Sequence, residues 1–202
     1  MNDLLDIMRR LRGPGGCPWD QQQSHESLRP YLLEEACEAM DAIASGDPQA
    51  LVEELGDVLL QVAFHTVIAE ETKRFDYPAI EQGIVDKLIR RHPHVFGAVQ
   101  VSGAEEVLSN WQALKAAEGK AQATVPRNLP ALMRAFEAGR QAGWQEGSPA
   151  AVAAALSTQD GDAAHHLGRL LLAVVDYARG LGANPELALR EAIEARLRHD
   201  YA

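Results

Sequence analysis

Apolar residues recur every three to four positions along almost the whole chain, and no stretch alternates with the period of two that a half-buried strand requires. That regularity confines the chain to helices packed on helices. The breaks are made by glycine and proline, and they predict the element boundaries. A first helix is expected over Asn2–Leu11, with Asn2 as its N-cap, ended by Gly13-Pro14-Gly15-Gly16. A second runs from about Ser27 to Ala44 and stops at Gly46. Asp47-Pro48 then reads as an N-cap followed by proline at the first helical position, opening a long helix to about Lys73. Asp76 opens a fourth helix that His92-Pro93 breaks after Arg91. Ser102 with Glu105 forms a capping box for a fifth helix carrying Trp111 and Lys115. Beyond a linker with two prolines, Gly119 to Pro130, helices are expected near Pro130–Ala142, Ala150–Leu156, Asp162–Gly180 and Pro185–His199. Short connections make neighbours antiparallel, so the expected fold class is all-α, a helical bundle built from antiparallel helices.

The 202 residues have room for one domain or two small ones. A net charge of −10 argues against a nucleic-acid surface, which needs a basic stripe. The longest apolar runs, Ala150 to Leu156 and Leu170 to Val175, are too short to cross a bilayer. The first residues, Met1 to Gly13, are charged and amphipathic, with no apolar signal region. Cys17 and Cys37 alone make no disulfide framework. The expectation is a reduced, cytoplasmic protein that binds neither membrane nor nucleic acid.

Two acidic pairs carry the chemistry: Glu35-x-x-Glu38 and Glu54-x-x-Asp57. Residues three apart share a helix face, about 5–6 Å apart at Cβ. Each pair adjoins an apolar run, Tyr31-Leu32-Leu33 or Val58-Leu59-Leu60, a frame expected to turn the charge inward. A lone acidic pair is ordinarily a solvated face. Two pairs on helices joined at Gly46-Asp47 would meet across a hairpin, where like charges repel unless a cation bridges them. Carboxylates are hard ligands, so the expected cation is Mg²⁺, with Mn²⁺ able to substitute. Glu34 and Glu53 lie one residue off each pair, as outer neighbours or alternative ligands. Gln61 and His65 continue the Glu54/Asp57 face, and His65 reads as a packed or hydrogen-bonding histidine.

The main positive cluster is Lys87-x-x-Arg90-Arg91-His92-Pro93-His94. Cations suit a helix C-terminus on dipole grounds alone. Beside a metal site, the same guanidinium forks suit phosphate. Lys115, one turn after Trp111, adds a point charge. Trp19, in the glycine-rich turn Gly16-Cys17-Pro18-Trp19-Asp20, is either a base-stacking residue or a lid on the core. Cys17 has no recognisable His and acid partners for nucleophilic catalysis. His165-His166 are adjacent on a helix and point apart.

The second half repeats the first in worn form. Ile7-Met8-Arg9, a glycine turn and Trp19 recur as Leu132-Met133-Arg134, Gly143 and Trp144. Glu54-Leu55-Gly56-Asp57 recurs as His166-Leu167-Gly168-Arg169, and Val152 to Ser157, opposite the first acidic pair, holds no acid. Packing positions survive in the copy and metal-type carboxylates do not.

Gly-Cys-Pro-Trp-Asp (16–20), Leu33-Glu34-Glu35-x-x-Glu38, Glu54-Leu55-Gly56-Asp57 and Arg90-Arg91-His92-Pro93-His94-Val95-Phe96 together resemble the MazG-type nucleoside triphosphate pyrophosphohydrolases, from Leu4 to about Trp144. The resemblance implies an all-α, Mg²⁺-dependent enzyme built from tandem modules, with residues 1–118 catalytic, 119–130 a linker and 131–202 a degenerate, structural copy. It implies Glu35, Glu38, Glu54 and Asp57 as metal ligands, and Lys87, Arg90, Arg91 and Lys115 as phosphate-side residues. Glu34 or Glu38 would orient or deprotonate the attacking water, and Lys87 would absorb charge on the leaving group. The implied reaction converts a nucleoside triphosphate to monophosphate and pyrophosphate, in a homodimer. Two other classes are distinguishable by experiment. One is a non-catalytic nucleotide-binding protein with a structural cation. The other is a ferritin-like di-iron protein, whose Glu-x-x-His motifs the first half lacks.

Overall fold

The computed structural model describes residues 1–115, 117–118, 125–158 and 162–200. Every element assigned among them is helical: α1 (Asn2–Arg12), α2 (Pro18–Gln22), α3 (Arg29–Ser45), α4 (Pro48–Glu71), α5 (Tyr77–Arg91), α6 (Pro93–Phe96), α7 (Ala104–Lys115), α8 (Ala131–Ala142), α9 (Pro149–Ser157), α10 (Ala163–Gly180) and α11 (Pro185–Asp200). The all-α fold follows the period of the sequence. The chain forms two compact units, Met1–Ala116 and Ala117–Ala202. Of the linker expected over 119–130, residues 119–124 lie outside the described residues, as do Tyr201 and Ala202. Among the described residues no helix is long and apolar enough to cross a membrane.

The local signals act where they were expected to, with three exceptions. The Asp47 side chain accepts from the Gln49 N–H, and that of Asp76 from the Ala79 N–H, so both long helices start on acidic caps. Gly46 ends α3 at φ 72°, a left-handed conformation costly for any residue with a Cβ. Asn2, expected as a cap, lies inside α1, which starts from Met1 without a side-chain cap. Glu106, not Glu105, takes the Ser102 N–H and hydroxyl, because the helix starts at Ala104, one residue later than the capping-box spacing assumes. Two short helices without a sequence expectation, α2 in the glycine-rich turn and α6 after the His92-Pro93 break, both begin on prolines. One turn is too short to display a period.

In the first unit, α3 and α4 form an antiparallel hairpin, and α1 lies on α4. The core is Leu5 and Met8 of α1, Leu28, and Ala63, Phe64, Val67 and Ile68 of α4. Each large side chain there contributes about 1.5–3 kcal/mol through burial. Two ion pairs fasten α1 to the end of α4: Arg9 Nε to Glu70 at 2.9 Å and Arg12 Nη2 to Glu71 at 2.7 Å. This core fixes the C-terminal half of α4 and thereby the direction of its N-terminal half, which carries the acids. In the second unit, α10 packs on α8 and α9, and α8 on α11.

Candidate active site

The hairpin brings three of the expected acids together. Glu35 and Glu38 on α3 and Glu54 on α4 each place a carboxylate oxygen within 4.8 Å of the others. Asp57 falls outside that tight group, yet after burial its charge is the largest influence raising the Glu35 pKa, ahead of Glu38, Glu34 and Glu54. Burial, then Glu38, Asp57 and Glu53, raise that of Glu54. Burial is the larger cause of both shifts, and the neighbouring carboxylates add to it. Hard oxygen donors converging from two helices, with a surplus of negative charge, suit a divalent cation.

The apolar frame does not do what was expected of it. The acids are half-buried or exposed rather than turned inward, and Leu33 and Leu59 beside them are 55% and 50% exposed. The reason is architectural. The core claims α4 through residues 63–68, beyond the acids, and within this unit α3 packs chiefly on α4. The N-terminal half of α4 and the facing part of α3 therefore remain open.

Trp19 is 48% exposed. Its indole meets Tyr31 edge-on at 5.8 Å and Phe64 edge-on at 6.3 Å, so one edge rests on the core residue Phe64 while much of the ring stays accessible. Tyr31 is one helical turn before Glu35, which sets the aromatic pair next to the acids.

The basic residues form a separate cluster. Arg91 is only 8% exposed and its guanidinium lies 5.2 Å from the Trp111 ring centre; Lys115 Nζ approaches the same ring at 5.5 Å. Trp111 thus organises two cations from α5 and α7 by cation–π attraction. Lys87 is half-buried and Arg90 exposed on α5. Among the described residues α5 packs chiefly on α6 and α7, whereas the acids lie on α3 and α4.

One pairing had no local signal at all. His25, in the connection before α3, places its Nδ1 2.8 Å from Nδ1 of His65, and one ring nitrogen donates to the other. The rings stack at 13°, and His25 also stacks on Phe75. Burial, then the charge of His25, lowers the His65 pKa. His65 is a hydrogen-bonding histidine, as expected, but its partner lies forty residues away in sequence. Gln61, on the same face of α4, is buried, and its Oε1 has no hydrogen-bond partner among the described residues.

Residues 23–96 match the family described as the MazG nucleotide pyrophosphohydrolase domain. The chain is 40% identical over 215 residues to a nucleoside triphosphate pyrophosphohydrolase of Escherichia coli (strain K12), covering 95% of this chain and 82% of that one. It is 37% identical over 207 residues to a nucleoside triphosphate pyrophosphohydrolase/pyrophosphatase MazG of Thermotoga maritima, covering 94% and 80%. The chain belongs to the MazG family. The MazG match takes in all four acids, the His25–His65 pair and the basic end of α5. Trp19 precedes the matched span, and Trp111 and Lys115 follow it.

Proposed function

We propose that the chain hydrolyses nucleoside triphosphates to nucleoside monophosphate and pyrophosphate with Mg²⁺, or Mn²⁺ in its place, held by Glu35, Glu38, Glu54 and Asp57. The observation that carries this is the convergence of carboxylate oxygens from Glu35, Glu38 and Glu54 within 4.8 Å, in a charge environment that strains against ionisation. Mg²⁺ bound there supplies positive charge to the phosphate oxygens and Lewis acidity to the attacking water. The protein's own groups do the rest. A carboxylate oxygen of Glu34 or Glu38 orients that water and takes its proton. Lys87, Arg90, Arg91 and Lys115 compensate the charge that accumulates on the departing pyrophosphate. Trp19, beside Tyr31, stacks on the base.

The acids and the basic cluster belong to one site if two chains pair. A homodimer is supported by what the single chain leaves uncovered. Ile80, Ile84 and Leu88 make an exposed apolar row on α5, and Leu33, Leu55 and Leu59 stand exposed around the acids. Gly56 and Gly83 sit inside helices, where glycine costs about 1 kcal/mol relative to alanine, yet a Cβ at either would meet nothing within 4 Å. Such positions suit the close approach of another chain. Residues 131–202 then serve as a degenerate, structural copy of the module. Neither Cys17 nor Cys37 is in a disulfide, which suits a reducing cytoplasm.

Purified protein with Mg²⁺ is expected to release pyrophosphate from a panel of ribo- and deoxyribonucleoside triphosphates. Orthophosphate as the first product, or nucleotide binding without turnover across the panel, would refute this reading.

A further inference from the structure

We propose that Gln61 reads the sugar of the nucleotide, its buried carboxamide hydrogen-bonding a ribose or deoxyribose hydroxyl. This inference rests on the nucleotide reading of the acidic site. Gln61 is 4% exposed, and its Oε1 is buried without a hydrogen-bond partner among the described residues. Buried polar atoms in native proteins are nearly all paired, because an unpaired one forfeits its bond to water and gains nothing. A methionine would fill similar volume here without that loss. The carboxamide therefore has a use that the free protein does not display.

Its place on α4 says what that use is. Helical spacing puts Gln61 one turn beyond Asp57 and one turn before His65, on the middle of the face that carries Glu54. The acids lie on one side of it along the helix axis, about 6 Å back at Asp57. On the other side, three residues on, is Phe64, against which the Trp19 indole rests. With phosphates at the acids and the base at Trp19, Gln61 stands between them, at the level of the sugar. His65, the next polar residue on that face, already spends Nδ1 on His25.

The chemistry also favours a hydroxyl over the base. A carboxamide presents an oxygen acceptor and a nitrogen donor, and either can face the ligand. A sugar hydroxyl both donates and accepts, so it pairs with Gln61 in either orientation. A base amino group pairs with one only.

The test compares the full-length protein with Gln61→Met, using a ribonucleoside triphosphate, its 2′-deoxy form and its 2′,3′-dideoxy form, all with one base and with Mg²⁺. For the two substrates that keep a hydroxyl, Gln61→Met should raise KM about 10- to 100-fold with kcat little changed. The dideoxy substrate should have a high KM in both proteins and show no further loss. The Tm without nucleotide should stay level or rise. An equal KM loss for all three substrates, or a fall in Tm with KM unchanged, would overturn the proposal. Should no substrate be turned over by the unsubstituted protein, the enzymatic reading fails separately. Titration with α,β-methylene analogues with and without the hydroxyls then judges Gln61 by the same pattern in Kd.

Discussion

The hairpins α3–α4 and α9–α10 invite comparison, because the same sequence frame ends in opposite electrostatics. Glu54-Leu55-Gly56-Asp57 on α4 stands against His166-Leu167-Gly168-Arg169 on α10, and α9 carries no acid where α3 has Glu35 and Glu38. Both hairpins form. The acids are therefore not what makes the fold. The first hairpin is folded in spite of them, since burial and mutual repulsion raise the pKa of both Glu35 and Glu54. Charge gathered on α3 and α4 against its own cost is the feature on which the proposed chemistry rests.

That contrast can be broken most decisively through activity. Glu54→Ala should lower kcat/KM for pyrophosphate release by about 10²–10³-fold or more. His166→Ala and Arg169→Ala should leave it within about threefold, because nothing in the proposed reaction draws on them. Comparable losses from both hairpins would end the distinction.

Stability separates the units next. Leu5→Ala removes a side chain that is 2% exposed in the core of the first unit and should cost about 2–5 kcal/mol. In the second, a Cβ on Gly147 would come 2.5 Å from the backbone nitrogen of Tyr177, so Gly147→Ala should cost about 1–3 kcal/mol. Calorimetry shows whether each change moves its own transition or both move one.

Cation binding gives an effect of similar size with a telling reversal. Mg²⁺ at about one hundred times its Kd should stabilise the protein by about 2.7 kcal/mol. Glu35→Gln should raise the Tm of the metal-free protein, by relieving repulsion, and flatten its response to Mg²⁺ in a melting titration. A Glu35→Gln protein that melts lower and still responds would contradict the cluster.

The smallest effect is a pH dependence at His25–His65. The His65 pKa is lowered in the folded protein, so between that value and the unfolded value near 6.5 the unfolded chain holds more protons. Stability should therefore fall as pH drops below about 6.5. Beside this pair, hydrogen bonds to its own backbone and to Ser24, and then the charges of His25 and Arg74, lower the Glu26 pKa. In His65→Phe, which keeps the ring packing, denaturant midpoints at pH 7 and pH 5.5 should lie closer together than in the unsubstituted protein.

Much of this architecture is legible in sequence because it is written locally. Asp47 and Asp76 cap the helices that they precede, and Gly46 turns the chain where its φ requires glycine. The acids are legible for the same reason: residues three apart on a helix share a face, and one tight turn joins the two helices. What local pattern cannot carry is pairing between distant segments. His25 with His65, Arg91 with Trp111, and Trp19 against Phe64 depend on how α1, α2, α4, α5 and α7 are brought together. Nor does periodicity say which part of an apolar face is covered. Leu33 and Leu59 look like core positions, and they are exposed because α1 reaches only the far half of α4.

The turn at Gly46 and Asp47 has a consequence in time as well as in space. Glu35, Glu38 and Glu54 are joined by fewer than twenty residues of chain, so their meeting requires the closure of one short loop. Such loops close in well under a microsecond, and helices grow within microseconds. The ion pairs that bind α1 to Glu70 and Glu71 span some sixty residues and must wait for a much larger closure. Closure of the acidic hairpin therefore runs ahead of the closure that joins α1 to α4.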